Sequence, residues 1–329
     1  MNTTTADAQD STWSAEAQEQ LRAEVRRVME AESLNQAAIS KDANIAYGTF
    51  TTWMTGKYQG NTGRVAGDVA RWLESRQARK KVAAALPTAP GFLRTETAER
   101  ILAIMQFAQA AADFAVVAGG AGIGKTSAAQ HYRDTNPNVW LITLEPCSGR
   151  MNAVLNELCE AVGTAERNAA RLSQAIARKI KGTGGLIIVD EANHAETAAI
   201  DQLRSIHDRT GVGVVLLGNE TVYSRLEGEG RKAAFAQLYS RIGMRHSQAR
   251  PRPADICQII AAWGVTDPDE KRLLKAIARK PGALRGLTKV LTLAGMLAAG
   301  AEETRTARHI RQAWERLSPA DNGARDAAA

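Results

Sequence analysis

The sequence predicts an α/β domain, a parallel sheet with helices on both faces, set between two all-helical regions. Three observations predict it. Four short apolar runs, at 114–118, 139–144, 186–189 and 212–217, alternate with amphipathic stretches such as Met151, Val154, Leu155, Leu158 and Val162. Runs of that kind are buried on both faces, as strands of a parallel sheet are, and strand–helix alternation winds the sheet on both sides. The first run passes directly into Gly119-Gly120-Ala121-Gly122-Ile123-Gly124-Lys125-Thr126, a GxxxxGK[ST] loop in the strand-to-helix setting it requires. Finally, no strand-like run precedes about residue 95 or follows about residue 247.

In chain order, residues 1–15 are polar and acidic and read as a disordered tail. Residues 16–81 read as helical, with Leu21, Val25, Val28 and Met29 at helical spacing. Residues 82–94, VAAALPTAPGFLR, combine two prolines and a glycine with small side chains and read as a linker. The α/β core is expected over 95–247, a helical basic domain over 248–317, and a second disordered tail over 318–329.

Composition excludes several classes. Hydrophobic residues make up 44% and charged residues 23%, a profile that supplies an ample core. No apolar run approaches the roughly 18 residues of a membrane span, and the N-terminus has neither a basic nor an apolar leader region, so a cytoplasmic protein is expected. Cys147, Cys159 and Cys257 stand far apart, and His131, His194, His207, His246 and His309 show no ligand spacing. Neither a disulfide framework nor a zinc site is therefore indicated. The net charge is +7. Between Arg245 and Arg316 there are fourteen Lys and Arg against seven Asp and Glu, an excess equal to that of the whole chain. Such asymmetry points to a polyanionic partner, nucleic acid above all.

The glycines of the loop let backbone N–H groups close on phosphate oxygens, and the helix opening at Lys125, Thr126 and Ser127 adds its N-terminal partial charge. Lys125 is expected to bridge the β- and γ-phosphates of ATP and Thr126 to ligate Mg²⁺. The run at 186–189 ends in Asp190-Glu191. Asp190 is expected to hold Mg²⁺ through its water shell and Glu191 to polarise the attacking water. Asn219, at the tip of the run at 212–217, is placed to orient that water, because α/β sheets bind ligands at the carboxyl edge of their strands. Together these strand ends predict ATP hydrolysis.

This order of parts, followed by a basic helical lid, resembles the AAA+ ATPases. That resemblance implies two arginines on the γ-phosphate. Arg285, in Lys280-Pro281-Gly282-Ala283-Leu284-Arg285, would act in cis from the lid. Arg241 would act in trans from a neighbouring subunit, with Arg245 as the alternative, so a lone subunit should hydrolyse ATP poorly. Residues 33–58 resemble the helix-turn-helix of lambda-repressor-like proteins. Gln36 and Ala37 fall in its second helix, the turn near 42–44, the third helix over 47–54, and Ile39, Phe50 and Trp53 in its core. Tyr47, Thr49 and Thr52 would then face a DNA groove. That face carries almost no charge, so it suits protein contacts as well as it suits DNA.

From about residue 16 to 317 the chain resembles the B transposition proteins of Mu-like phages. The likeness rests on GKYQGN at 56–61, VDEA at 189–192, LGN at 217–219 with VYS at 222–224, YSRI at 239–242 and KPGALR at 280–285. It implies an ATP-dependent, largely sequence-independent binder of double-stranded DNA that forms helical filaments of itself. Such a protein selects target DNA, activates the transposase, and is stripped from DNA when the transposase stimulates hydrolysis, which is target immunity. A filament around DNA needs basic residues facing inward. Arg167, Arg171, Arg178, Lys179 and Lys181 form one candidate group and Arg150 is another, though each taken singly is equally a solvated helix charge. The competing reading is a helix-turn-helix regulator of transcription or signalling gated by the ATPase domain. A secretion-associated ATPase would want a membrane or peptidoglycan-binding segment, and none is visible.

Overall fold

Three of the four apolar runs become the middle of a sheet, the run at 139–144 becomes one of its edges, half-buried rather than buried on both faces, and the amphipathic stretches between them become its covers. The computed structural model describes residues 13–222 and 242–318, apart from the side chains of 82–85. Two units divide between Leu86 and Pro87.

The first unit is all helical: α1 (Ala15–Glu32), α2 (Gln36–Asp42), α3 (Tyr47–Met54) and α4 (Thr62–Ala85). Leu21 and Val25 of α1, Ile39 of α2, Phe50 and Trp53 of α3, and Val65, Val69 and Trp72 of α4 close one core. α1 begins earlier than a tail ending at residue 15 allows. Ser14 caps it, accepting from the N–H of Ala17 at 3.1 Å, and Trp13 packs against the core. α4 likewise runs through Ala85, because the small residues at 82–85 continue a helix that only Pro87 halts, so the first residues expected as linker are helical. The end of α3 is satisfied from α1. Arg22 Nε donates to the carbonyl of Trp53 at 2.7 Å and Arg26 donates to that of Met54 at 3.3 Å.

The second unit carries a five-stranded parallel sheet in the order β2-β3-β4-β1-β5. Its strands are β1 (Phe114–Gly119), β2 (Val139–Thr143), β3 (Leu186–Asp190), β4 (Gly213–Gly218) and β5 (Ile242–Gln248). Its helices are α5 (Glu96–Ala110), α6 (Lys125–Thr135), α7 (Met151–Val162), α8 (Leu172–Ile180) and α9 (Thr197–Thr210). The pleat sends alternate residues of β1, β3 and β4 to opposite faces. Phe114, Val116, Ile187, Val189, Val214 and Leu216 pack under α7, α8 and α9. Ala115, Val117, Leu186, Ile188, Val215 and Leu217 pack under α5 and α6. The fifth strand is absent from the apolar runs because its residues are not continuously apolar; among the described residues it pairs with β1. Its residues alternate between covered and exposed, and Arg245 lies on it with an exposed side chain.

Among the described residues, four helices follow β5: α10 (Pro253–Ala262), α11 (Pro268–Ala278), α12 (Ala283–Gly300) and α13 (Ala307–Leu317). They share a core of Ile256, Ile260, Leu274, Leu287, Leu291 and Ile310. This lid is pinned to the sheet domain by Asp255, a fully buried carboxylate in the first turn of α10. Asp255 accepts from the N–H of Thr97 at 3.3 Å and from the Thr97 hydroxyl, and Arg252 pairs with Glu96 beside it. Among the described residues no helix is long and apolar enough to cross a membrane.

Candidate nucleotide-binding site

The loop after β1 can follow its path only with glycine. A Cβ on Gly120 would lie 2.1 Å from the carbonyl oxygen of Ala249, past the end of β5, while Gly122 and Gly124 adopt φ of +78° and +102°. Gly124 is the N-cap of α6 and supplies no side-chain acceptor, so the first-turn N–H groups are left to a ligand. Lys125 Nζ lies in the same concavity, donating to the carbonyls of Gly119 and Gly120 at 2.8 and 3.0 Å. Burial holds its ammonium below the ordinary lysine range. The charges of Asp190 and Glu191 oppose that shift and Arg285 adds to it, so all three charges act on this one amine.

Thr126 donates its hydroxyl to Asp190 Oδ2 at 2.7 Å, and the other oxygen of Asp190 accepts the N–H of Glu191 at 2.9 Å. Asp190 is buried at the carboxyl end of β3, whereas Glu191 is exposed in a left-handed backbone conformation (φ 52°) that turns the chain into a 3₁₀ turn, Ala192–His194. A hydroxyl and a carboxylate side by side are the hard oxygen donors that Mg²⁺ takes together with phosphate oxygens, so these residues fit that ion.

A cleft of about 390 Å³ opens over the loop. One part of its lining is apolar: Pro90, Phe92 and Leu93 from the strap before α5, Ile259 and Trp263 from the end of α10, and Leu284. The other part is polar and charged: the loop from Ala121 through Ser127, Glu191, Arg285 and Lys289. The lid reaches the loop through backbone. Leu284 N–H donates to the carbonyl of Gly122 at 3.1 Å, and a Cβ on Gly122 would lie 2.3 Å from the carbonyl oxygen of Gly282. That contact sets the first turn of α12, with Arg285, beside Lys125.

Of the residues expected here, the structure thus brings together the loop, Asp190, Glu191 and Arg285. Asn219 stands at the tip of β4 but does not line the cleft. Its N–H donates to Asn193 Oδ1 at 3.3 Å, and its own Oδ1 accepts from the N–H of Thr221 at 2.9 Å. Arg241 lies outside the described residues, as do Tyr223, Ser224, Tyr239 and Ser240. Several lining residues were not foreseen. The strap at 89–94 falls in the expected linker, yet Phe92 stacks on His131 of α6 at 4.0 Å. A large aromatic directly after Pro-Gly, amid small residues, was the available signal. Lys289 counts in sequence only toward the basic excess, and nothing local singles out Trp263 or Asn193.

The candidate DNA residues divide. Arg171 is the N-cap of α8, Arg167 precedes it, and Arg178 and Lys179 fall in its last turn. Seven to eight residues of helical rise put Arg178 and Lys179 about 11 Å from Arg171 along the axis. Cations at a C-terminus complement the helix dipole, so Arg178 and Lys179 are accounted for by helix stability. Arg171 on α8 and Arg150 on α7 sit at N-caps, where a cation is unfavourable and neither side chain makes a capping bond. Arg150 is exposed, with Glu196 at 3.8 Å. On α3, Tyr47 is 57% exposed and Thr49 half-buried, while the exposed Thr52 donates its hydroxyl to the carbonyls of Gly48 and Thr49. That proton is therefore used inside the helix.

The parallel sheet, the phosphate loop after β1, the Thr126–Asp190 pair and the lid define an AAA-type P-loop ATPase domain. Residues 109–226 match the AAA domain family, and the fold is that of a Walker-type ATPase from Pyrococcus abyssi (TM-score 0.50, 13% identity, 69% of this chain and 73% of that one). Residues 240–317 match the family described as Mu B transposition protein, C terminal. The ATP-dependent target DNA activator B of Escherichia phage Mu is 39% identical over 299 residues, 90% of this chain and 95% of that protein. The Mu-like prophage FluMu DNA transposition protein B of Haemophilus influenzae is 36% identical over 262 residues, 78% of this chain and 90% of that one. The chain belongs to the Mu B transposition protein family.

Proposed function

We propose that the protein is an ATP-hydrolysing switch that binds double-stranded DNA largely without regard to sequence and presents it as target to a transposase. The observation that carries this reading is the bonded pair Thr126–Asp190, with Glu191 and Lys125 beside it and Arg285 of the lid facing them. Its partners are inferred from relatives named as target DNA activator and transposition proteins.

In this reading the N–H groups of 120–126 and the Lys125 ammonium take the β- and γ-phosphates, while Phe92, Leu93 and Trp263 sandwich the base. Thr126 and Asp190 hold Mg²⁺, which when bound neutralises phosphate charge. Glu191 accepts a proton from the attacking water, and Asn219 orients that water. Arg285 in cis, and Arg241 of a neighbouring copy in trans, stabilise charge on the γ-phosphate. Hydrolysis then requires neighbours, as a helical homo-oligomer on DNA in the host cytoplasm would supply. Arg150, Arg167 and Arg171 carry phosphate contacts, with Arg178 and Lys179 further along the same helix, and Tyr47, Thr49 and Thr52 form the outer face of the N-terminal domain. Hydrolysis sets the time spent on DNA, and release near the element gives target immunity.

Electron microscopy of the full chain with ATP, Mg²⁺ and random-sequence duplex tests this. Continuous filaments, persistent in Glu191→Gln, are expected. Bare DNA refutes the proposal, and binding restricted to one sequence favours the helix-turn-helix regulator instead.

A further inference from the structure

Resting on that hydrolytic reading, the geometry points to Asn193 as a positioning residue for hydrolysis, one that fixes the tip of β4 against the turn carrying Glu191. The ladder between β3 and β4 runs in register from Leu186 with Gly213 to Val189 with Leu216. Beyond it each strand stays paired with its other neighbour, Asp190 with Thr143 of β2 and Leu217 and Gly218 with β1, but the two no longer pair with each other. No β3–β4 ladder pair spans the step to Glu191 and Asn219, yet the chemistry assigned to this edge depends on how these two residues stand to each other.

Asn193 supplies the missing rung. It is half-buried in the 3₁₀ turn that follows Glu191, and its Oδ1 accepts the N–H of Asn219 at 3.3 Å. Gly218 makes the approach possible. A Cβ there would lie 2.4 Å from the Val222 Cγ2 methyl, which can give way, and 3.0 Å from Asn193 Oδ1 and 3.3 Å from the Asn193 backbone nitrogen. The turn itself is rigid: His194 N–H closes on the carbonyl of Glu191 at 3.0 Å and Ala195 N–H on that of Ala192 at 3.1 Å. On its other side the turn is held by the loop after β2. Glu196 N–H donates to the carbonyl of Gly149 at 2.8 Å, and a Cβ on Gly149 would lie 1.9 Å from the carbonyl oxygen of His194. With that side fixed by backbone, the Asn193 carboxamide is the side-chain contact that sets the distance between Glu191 and the β4 tip. The contact Asn193 makes is with the backbone of Asn219, so it acts through that residue rather than on nucleotide.

The test is steady-state ATP hydrolysis by the full chain with Mg²⁺ and saturating duplex DNA, beside equilibrium binding of a fluorescent ATP analogue and thermal unfolding. Asn193→Leu keeps the side chain's size and removes the acceptor. It is expected to lower kcat by at least about tenfold, since displacements near 1 Å at a reacting centre have effects of that order or larger. KM, analogue affinity and the unfolding midpoint should stay close to wild type. In an Asn219→Ala background the same substitution should lower kcat no further, because no side chain remains to be positioned. Gly218→Ala, which attacks the contact from the other side, should repeat the kcat loss if Asn193→Leu folds poorly. An unchanged kcat, a parallel rise in KM, or losses that multiply in the double variant would overturn the assignment. If Asn219→Ala alone leaves kcat intact, the hydrolytic role of Asn219 fails first, and the inference falls with it.

Discussion

Gly122→Ala should uncouple the lid from the phosphate loop, and the structure gives the size of the effect. Two costs act together. Gly122 sits at φ +78°, where an L residue is disfavoured by roughly 1–2 kcal/mol. The added Cβ would also stand 2.3 Å from the Gly282 carbonyl oxygen and 3.0 Å from its carbon. Restoring an ordinary contact requires the first turn of α12 to back away by about 1 Å. Backbone cannot rotate aside as a side-chain tip does. The movement also stretches the bond from Leu284 N–H to the Gly122 carbonyl, now 3.1 Å, which is worth about 1 kcal/mol. The sum is about 2–3 kcal/mol, which should lower the unfolding midpoint by several degrees without abolishing folding.

The larger consequence is for chemistry, because Arg285 rides on the displaced turn. A charge placed to stabilise the γ-phosphate loses its effect steeply when it moves by about 1 Å, so kcat should fall by roughly tenfold to a hundredfold. Nucleotide affinity should fall much less, since Lys125 and the N–H groups of α6 belong to the sheet domain and stay in place. Steady-state hydrolysis beside analogue binding measures the split. A Gly122→Ala protein with kcat within twofold of wild type, at a nucleotide concentration that saturates it, would refute the coupling of lid to loop through this contact.

Phe92→Ala removes the strap aromatic that stacks on His131 and lines the cleft. ATP affinity should drop by about tenfold with kcat nearly unchanged, as loss of uniform binding requires, and a titration with the fluorescent analogue checks it. Thr126→Val keeps shape but deletes the hydroxyl bonded to Asp190 at 2.7 Å. Hydrolysis should then need more Mg²⁺ to reach half its maximal rate, and a Mg²⁺ titration matching wild type would count against the metal assignment. Neutralising Arg167 and Arg171 together should weaken DNA binding and reduce the slope of log K against log salt by about 1.8. Filter binding across a salt series reads that slope, and an unaltered one removes the pair from the interface.

Four of the five strands, the phosphate loop and the Asp190-Glu191 pair were legible in the sequence for a simple reason: each leaves a local signature. Four strands are continuous apolar runs, the loop has fixed glycine spacing, and Asp190-Glu191 ends a buried run. β5 leaves no such signature: unlike β2, the other edge strand, it alternates, and Gly243, Arg245 and Ser247 fall on its exposed positions. The strap was hidden by its composition. Prolines, glycine and alanines mark a segment without regular structure, which 86–94 is, but say nothing of Phe92 finding a partner in His131. Arg285 could be named from its motif, yet not the reason it faces Lys125. That reason is the close approach of two glycines, Gly122 and Gly282, far apart in sequence.

The same distinction explains why the functional groups of the candidate site were easier to pick out than what holds them. Lys125, Thr126 and Asp190 each need a particular functional group, and few residue types provide it. What holds them is often a residue whose only requirement is to be small or to accept one bond. Gly149 matters because His194 passes over it, Gly218 because Asn193 does, and Gly120 because Ala249 does. None of these pairs is periodic or adjacent in sequence, and each joins the end of one strand to the loop of another. In a parallel sheet such contacts gather where the ladder stops, at the carboxyl edge where ligands bind. Substitutions at these glycines should therefore mimic loss of the catalytic groups while leaving every charged residue in place. Asn193 is the exception that uses a side chain for the purpose, and its carboxamide can be removed without forcing a clash. The kcat of Asn193→Leu accordingly tests the support at this edge separately from the steric cost that every glycine substitution carries.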